Sequence, residues 1–254
     1  MEYNTKGKTA IVTGSAAGLG LAIVEKLVEE GVNVVMSGYK KHDDTDDLLK
    51  RFNDSGVKAI FINCDVSKQE DVDKLFDETL KQMGQVDFIV NNAGIWLTSY
   101  VKDMQLEDFR RTLDVNLLGP FMLSKRFVNY CLDNNRKGKI VNLTSQAAFH
   151  GSTSGHAHYA SSKAALVGFT ISLAREVAPY GINVNAVAPG IMETRMVSAI
   201  VDNPERRERY EERIPLGRVA TPEEIARVVL FLLGEQSDYI TGATIDATGG
   251  MLMR

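Results

Sequence analysis

Cysteine is nearly absent. Two occur, Cys64 and Cys131, in separate segments and without the spacing of metal ligands, so a reduced, cytoplasmic setting is the default expectation. Long apolar runs are missing as well. The opening residues, Met1 to Lys8, have neither an apolar core nor a small-residue cleavage site and do not read as a signal peptide. Residues 140–162 carry no formal charge, yet Asn142, Thr144, Ser145 and Gln146, with glycines, histidines and serines, make them too polar to span a bilayer. Nor is there an excess of basic charge. A net charge of -4 gives no electrostatic reason to expect a nucleic-acid partner, and the run Arg136-Lys137-Gly138-Lys139 reads as a solvated turn. No linker, repeat or low-complexity stretch divides the chain, so 1–254 reads as one domain.

What is present is a regular alternation. With 44% hydrophobic and 24% charged residues, the chain can bury a sizeable core. Short apolar runs predict strands at 9–12, 32–36, 58–62, 86–90, 139–143, 183–187 and 243–246. Amphipathic stretches between them predict helices over 19–30, 44–54 and 67–83, and a long one over 106–132 that bends at Gly119-Pro120. A further helix holds Tyr159 and Lys163 and runs to Ala178. Two helix starts have capping-box spacing, Ser67-Lys68-Gln69-Glu70 and Thr221-Pro222-Glu223-Glu224, the second with proline at the first helical position. This β-then-α rhythm predicts an α/β fold, a doubly wound parallel sheet (a Rossmann fold) of about seven strands with helices on both faces.

The stretch Tyr159-Ala160-Ser161-Ser162-Lys163 carries the clearest chemical signal. Four residues make about one helical turn, so the phenol and the ammonium project from one face of the helix. A fixed cation favours the phenolate and lowers a tyrosine pKa from its usual value of about 10. Reaching about 7 needs roughly 4 kcal/mol of differential interaction, more than one lysine supplies, so a second positive charge is expected, such as an oxidised nicotinamide.

Ligands of such sheets bind beyond the carboxyl ends of the strands, and the residues expected there are unusual. After the first strand comes Thr13-Gly14-Ser15-Ala16-Ala17-Gly18-Leu19-Gly20, a glycine-spaced turn leading straight into a helix, which suits a pyrophosphate. Asn91-Asn92-Ala93-Gly94 follows the fourth strand, Ser145 the fifth, and Pro189-Gly190-Ile191-Met192-Glu193-Thr194 the sixth. Together with Asn116 and Tyr159-x3-Lys163, these six ordered motifs resemble the short-chain dehydrogenase/reductase family in its compact single-domain branch, over residues 7 to 250.

The resemblance implies an oxidoreductase that moves a hydride between a nicotinamide cofactor and a carbonyl or secondary alcohol. It implies Tyr159 as general acid/base, Lys163 as its pKa-lowering partner and a holder of the nicotinamide ribose, and Ser145 as the group that hydrogen-bonds the substrate oxygen. Asn116 would disturb the long helix and hold a water in a proton relay. Cofactor contacts are implied at Gly14, Ser15, Ala17, Gly18, Leu19, Gly20, Tyr39, Lys40, Asp65, Val66, Asn92, Ala93, Gly94, Tyr159, Lys163, Pro189, Gly190, Ile191 and Thr194. The second strand ends in Ser37-Gly38-Tyr39-Lys40-Lys41, without the acidic residue of NAD-preferring relatives, so NADP(H) is favoured over NAD(H). The usual arginine is missing too, with Ala17 and Tyr39 in the places where a basic residue often stands.

His150, His156 and His158 lack the spacing and the carboxylates of a zinc site, and no metal is expected. Trp96, Gln146, Phe149, Met192 and Met196 are expected around a substrate crevice, with residues 191–215 as its lid. The chain's end, Thr248-Gly249-Gly250-Met251-Leu252-Met253, suits an interface, and by resemblance a homotetramer is expected. The expected partner is a small carbonyl or alcohol, with neither nucleic acid nor membrane. Alternatives are a 3-oxoacyl-carrier-protein reductase, docking its acidic carrier on Lys125, Arg126, Arg136 and Arg175, and an NAD-dependent sugar or polyol dehydrogenase. A cofactor-binding sensor without turnover is the reading from another class.

Overall fold

The seven apolar runs become seven strands. β1 (Thr9–Thr13), β2 (Asn33–Gly38), β3 (Ala59–Asn63), β4 (Phe88–Asn91), β5 (Gly138–Leu143), β6 (Ile182–Pro189) and β7 (Thr244–Ala247) form one sheet in the order β3-β2-β1-β4-β5-β6-β7, every pairing parallel. A computed structural model of the chain describes residues 3–152, 154–194 and 197–254, without the side chains at 199 and 200. Met196, expected near the crevice, lies outside the described residues, as do Thr153 and the first two residues of the opening stretch.

Unbroken apolar runs are what a sheet covered on both faces requires. In β1, Ala10 and Val12 join a core with α1 (Gly18–Glu29), α2 (Thr45–Asp54) and α10 (Pro222–Leu233). Ile11, between them, points the other way, into a core with α3 (Gln69–Met83), α5 (Gly119–Asp133) and α7 (Ala157–Val177). The chain winds outward from β1 to β3, crosses back over β1 to β4, and continues outward to β7. At the carboxyl ends of β1 and β4 the connections therefore part in opposite directions, which opens a crevice there.

Two local expectations need correction. The long helix is interrupted before its proline, by a wide turn at Asp114–Leu118 between α4 (Leu106–Leu113) and α5. Gly119 is there for contact, since a Cβ on it would lie 2.9 Å from the Val66 carbonyl oxygen. The capping box at Ser67 also does not form. Its hydroxyl donates to Asp65 Oδ1 at 2.6 Å, and α3 begins at Gln69 with Lys68, not Ser67, at the N-cap and no side-chain cap. The box at Thr221 does form, with Glu224 accepting the Thr221 N–H at 2.9 Å.

Short helices α6 (Ala147–His150), α8 (Ser198–Val201) and α9 (Pro204–Glu211) follow β5 and β6. No helix among the described residues is long and apolar enough to cross a membrane.

A buried polar chain ties the sheet to the helices behind the crevice. Asn91 Nδ2 donates to Ser124 Oγ at 3.1 Å and to Asn142 Oδ1 at 2.8 Å, and Asn142 Nδ2 donates to Thr170 Oγ1 at 2.9 Å. An unpaired buried donor costs about 1–3 kcal/mol. Asn142→Leu leaves Asn91 one bond short, and should lower unfolding stability by about 2 kcal/mol in urea titration.

Candidate active site

The crevice floor is a clasp between β1 and β4. The Thr13 hydroxyl accepts from the N–H groups of Asn92 (3.1 Å) and Ala93 (3.0 Å), and Asn92 Nδ2 returns bonds to the carbonyls of Thr13 and Gly14, both at 2.9 Å. Two positions in this turn, Gly14 and Gly20, leave no room for a side chain. Gly14 has φ +63°, and a Cβ on Gly20 would lie 2.3 Å from the Gly14 carbonyl oxygen. Ser15 is fully buried and acts as a strut: its hydroxyl donates to the Val12 carbonyl at 2.8 Å and accepts the Ser37 N–H at 2.9 Å. No side chain caps the start of α1. A glycine-built turn running into an uncapped helix start fits a pyrophosphate.

The reactive side chains come from β5, α7 and the wide turn. α7 places Lys163 Nζ 5.7 Å from the centre of the Tyr159 ring, and the ammonium donates to the carbonyl of Leu143, the last residue of β5, at 2.7 Å. Ser145 hydrogen-bonds the phenol, while its own hydroxyl oxygen accepts the Ala147 N–H at 3.2 Å. Asn116, fully buried in the wide turn, accepts the Ile95 N–H at 2.8 Å and donates to the Ile95 carbonyl (3.0 Å) and Ser162 Oγ (3.1 Å). It thereby pins the loop that carries Gly94, where a Cβ would lie 3.2 Å from Asn116 Oδ1 and 3.6 Å from Lys163 Nζ.

The electrostatics of the cofactor-free pair differ from the simple expectation that lysine depresses the tyrosine. Burial dominates and raises the Tyr159 pKa above its ordinary value, with the Ser145 hydrogen bond opposing it. Burial likewise pushes Lys163 down from 10.5 to about 8. Both groups are thus held toward neutrality.

Most of the expected cofactor residues meet in one cavity of about 420 Å³. Gly14, Ala17, Gly18, Leu19, Gly20, Asn92, Ala93, Gly94, Pro189, Gly190, Ile191 and Thr194 line it with Ser145, Tyr159 and Lys163. Ser15, Asp65, Val66 and Asn116 do not line it, nor do Tyr39 and Lys40, which lie just past the end of β2. Trp96, Gln146 and Met192 line the cavity as expected, but Phe149 does not; Arg254 covers its ring at 3.7 Å. Tyr210, Arg213 and Met251 line it unannounced by the sequence, because the segment after β6 and the chain end come together at the crevice from far along the chain. Ile191, Ile214 and Val219, with Val197, Val201, Tyr210 and Met251, give that cover its own small apolar cluster.

The three histidines go separate ways. His150 lines the cavity. His156 stacks on Trp96 at 4.2 Å and bonds Thr98 Oγ1 at 2.9 Å, with its pKa lowered by burial and by His158. His158 is fully buried without a hydrogen-bond partner among the described residues.

The Lys163 shift has a testable sign. Between about 8 and 10.5 the unfolded chain still holds a proton that the folded, cofactor-free chain has released, so folding stability gains with pH across that window. Lys163→Met should lose this gain, and the wild-type-minus-variant stability difference should rise with pH when urea midpoints are compared at its two ends.

Comparison with known proteins agrees with this geometry. A family model described as Enoyl-(Acyl carrier protein) reductase matches residues 14–252. The chain is 40% identical over 251 residues to a 3-oxoacyl-[acyl-carrier-protein] reductase of Aquifex aeolicus, covering 99% of this chain and 100% of that one. It is 39% identical over 257 residues to 3beta-hydroxysteroid dehydrogenase 1 of Eggerthella lenta, covering 100% and 97%. Among solved structures, a candidate NAD(P)-dependent gluconate 5-dehydrogenase of Beutenbergia cavernae with NADP bound at low occupancy superimposes with a TM-score of 0.91 at 33% identity, covering 99% of each chain. With a glycine-built turn at the β1–β4 crevice, Ser145, Tyr159 and Lys163 in one cavity, and these likenesses over nearly its full length, the chain belongs to the short-chain dehydrogenase/reductase family of nicotinamide-dependent oxidoreductases.

Proposed function

We propose that Tyr159 is the general acid/base of this oxidoreductase, and that the arrangement of Ser145, Tyr159 and Lys163 in one cavity is the observation that carries the reading. A nicotinamide cofactor, when bound, supplies or takes the hydride. In reduction the Tyr159 hydroxyl gives its proton to the carbonyl oxygen, and in oxidation the phenolate takes one from the alcohol. Ser145 donates a hydrogen bond to that same oxygen as charge develops on it. Lys163 stabilises the phenolate and holds the ribose hydroxyls, and Asn116 keeps the Gly94 loop in place through Ile95. The glycine turn and the uncapped start of α1 receive the pyrophosphate.

The preferred cofactor in this reading is NADP(H). Gly38 offers no carboxylate against a 2'-phosphate, and Lys40 is without an ion pair among the described residues, its ammonium over the Tyr39 ring. Lys41, by contrast, is engaged by Asp46. The NADP-bound relative supports the same choice. The chain works as one domain, with 191–215 as a substrate lid, in the cytoplasm. Exposed Leu118, Phe121 and Ile171 on the wide turn, α5 and α7 provide the apolar surface of a homotetramer, and a monomer mass in light scattering would count against it. The carrier-protein alternative draws support from the Aquifex relative. Two of its four expected docking residues are already committed, Arg126 to Asp73 and Asp77 and Arg136 to Asp87.

Tyr159→Phe should cut turnover by a factor of about 1,000 while leaving the NADPH dissociation constant, read by nicotinamide fluorescence, unchanged. Gly38→Asp tests the cofactor choice, because a Cβ there meets nothing nearer than 3.5 Å. The new carboxylate should weaken NADPH binding at least about tenfold and leave NADH binding little changed.

A further inference from the structure

Arg213 has no role in the chemistry proposed above, yet it lines the same cavity. Its guanidinium lies over the Tyr210 ring at 5.4 Å, and Tyr210 lines the cavity beside it. Two other arginines of this stretch, Arg207 and Arg218, are neutralised. Arg207 pairs with Glu193 at 2.7 Å and Glu211 at 2.9 Å, and Arg218 pairs with Glu224 at 2.6 Å. Arg213 makes no ion pair among the described residues, though it is surrounded in sequence by Glu211 and Glu212. No aspartate or glutamate among the described residues lines the cavity, whereas Lys163 and Arg213 both do. A cavity with two cations and no carboxylate is biased toward an anion. Lys163 is tied to the Leu143 carbonyl and to Tyr159, so the unspent cation is Arg213.

The geometry points to a hydroxy acid, or the corresponding oxo acid, as the substrate class, with its carboxylate held by Arg213 and its reacting carbon at Tyr159. This rests on the oxidoreductase reading above and narrows it. A planar guanidinium matches a carboxylate with two parallel N–H···O bonds, and its stacking on Tyr210 holds the plane of the fork. One such group balances a single negative charge. A phosphate, at nearly two charges, calls for further donors, and besides Arg213 the only lysine or arginine lining this cavity among the described residues is Lys163, already tied to the Leu143 carbonyl. The reaction balances without any other reactant. In oxidation the C–H hydride leaves for the nicotinamide and the O–H proton for Tyr159, and the carboxylate is unchanged.

The test compares matched pairs on the whole protein with NADP and with NAD: gluconate against glucitol, and 3-hydroxybutyrate against butan-2-ol, with acetoacetyl-coenzyme A as a thioester control run in the reducing direction. At least one acid should surpass its neutral counterpart in kcat/KM. Arg213→Gln should lower that acid's kcat/KM by about 10- to 100-fold through KM, leave the neutral alcohol unchanged, and be partly rescued by Arg213→Lys. Equal losses for acid and neutral partner, or a wild-type enzyme that prefers the neutral alcohols or the thioester, would overturn the proposal. If neutral alcohols turn over in a Tyr159-dependent way without any advantage for the acids, the oxidoreductase reading survives and this inference falls. If no substrate turns over and neither NADPH nor NADH binds, the underlying reading has failed, and the inference with it.

Discussion

Taking the Tyr159–Lys163 pair out of water is the constraint on which the rest of this structure depends. Desolvation raises the phenol's pKa and brings the ammonium down to about 8, so in the cofactor-free chain each group resists the charge its proposed role requires. One hydrogen bond from Lys163 to the Leu143 carbonyl and one from Ser145 to the phenol offset part of that cost. In the proposed chemistry an oxidised nicotinamide, when bound, would supply a further positive charge against that cost. Coupling of this kind ties proton transfer to the presence of the group that carries the hydride. It also requires the pair to be rigidly placed, because a low local dielectric makes misplacement as costly as correct placement is useful.

Rigidity comes from polar groups spent on one another. Thr13 and Asn92 join the ends of β1 and β4, Ser15 joins β1 to β2, and Asn91, Asn142, Ser124 and Thr170 join β4 and β5 to α5 and α7. Asn116 adds the loop after β4 to the same system through the Ile95 backbone. In each case a strand end that could have opened directly into solvent is held by a side chain from a neighbouring segment. The wide turn at Asp114–Leu118 fits this scheme, since extra turns inside helices commonly redirect a side chain at a working site.

Much of this could be read in advance because it depends on local pattern. Val12, Val90 and Val141 sit in runs apolar enough to be buried on both faces, and the helix-turn spacing of Tyr159 and Lys163 survives folding unchanged. The glycines of the β1 turn were legible because few other residues tolerate the backbone contacts there, as the 2.3 Å approach at Gly20 makes plain. What could not be read depended on competition or on distance. Ser67 had the spacing of a capping residue, but Asp65, two residues back, offered its hydroxyl a charged acceptor. Met251 and Arg213 reach the cavity where the segment after β6 and the chain end share an apolar cluster with Ile191, a contact no window of sequence contains. Ser152 and Ser154, between Ser145 and Tyr159, likewise turn out to bond the His156 ring, a pairing that no local pattern announces.

The proposed division of labour between buried and exposed charge has an energetic consequence. Among the groups assigned to chemistry, Lys163 is buried, where charges interact strongly and salt screens them little. The groups assigned to discrimination, Lys40 near the adenosine end and Arg213 at the substrate end, stand exposed, where a Debye length of about 8 Å at physiological ionic strength limits what a single charge contributes. Selectivity built on such residues is a ratio of affinities, not an absolute exclusion, and it weakens as salt rises while the proton-transfer centre does not. A sheet whose reactive pair is fixed by burial can therefore change its cofactor or its substrate at the rim, by altering one exposed residue, without disturbing the desolvated pair.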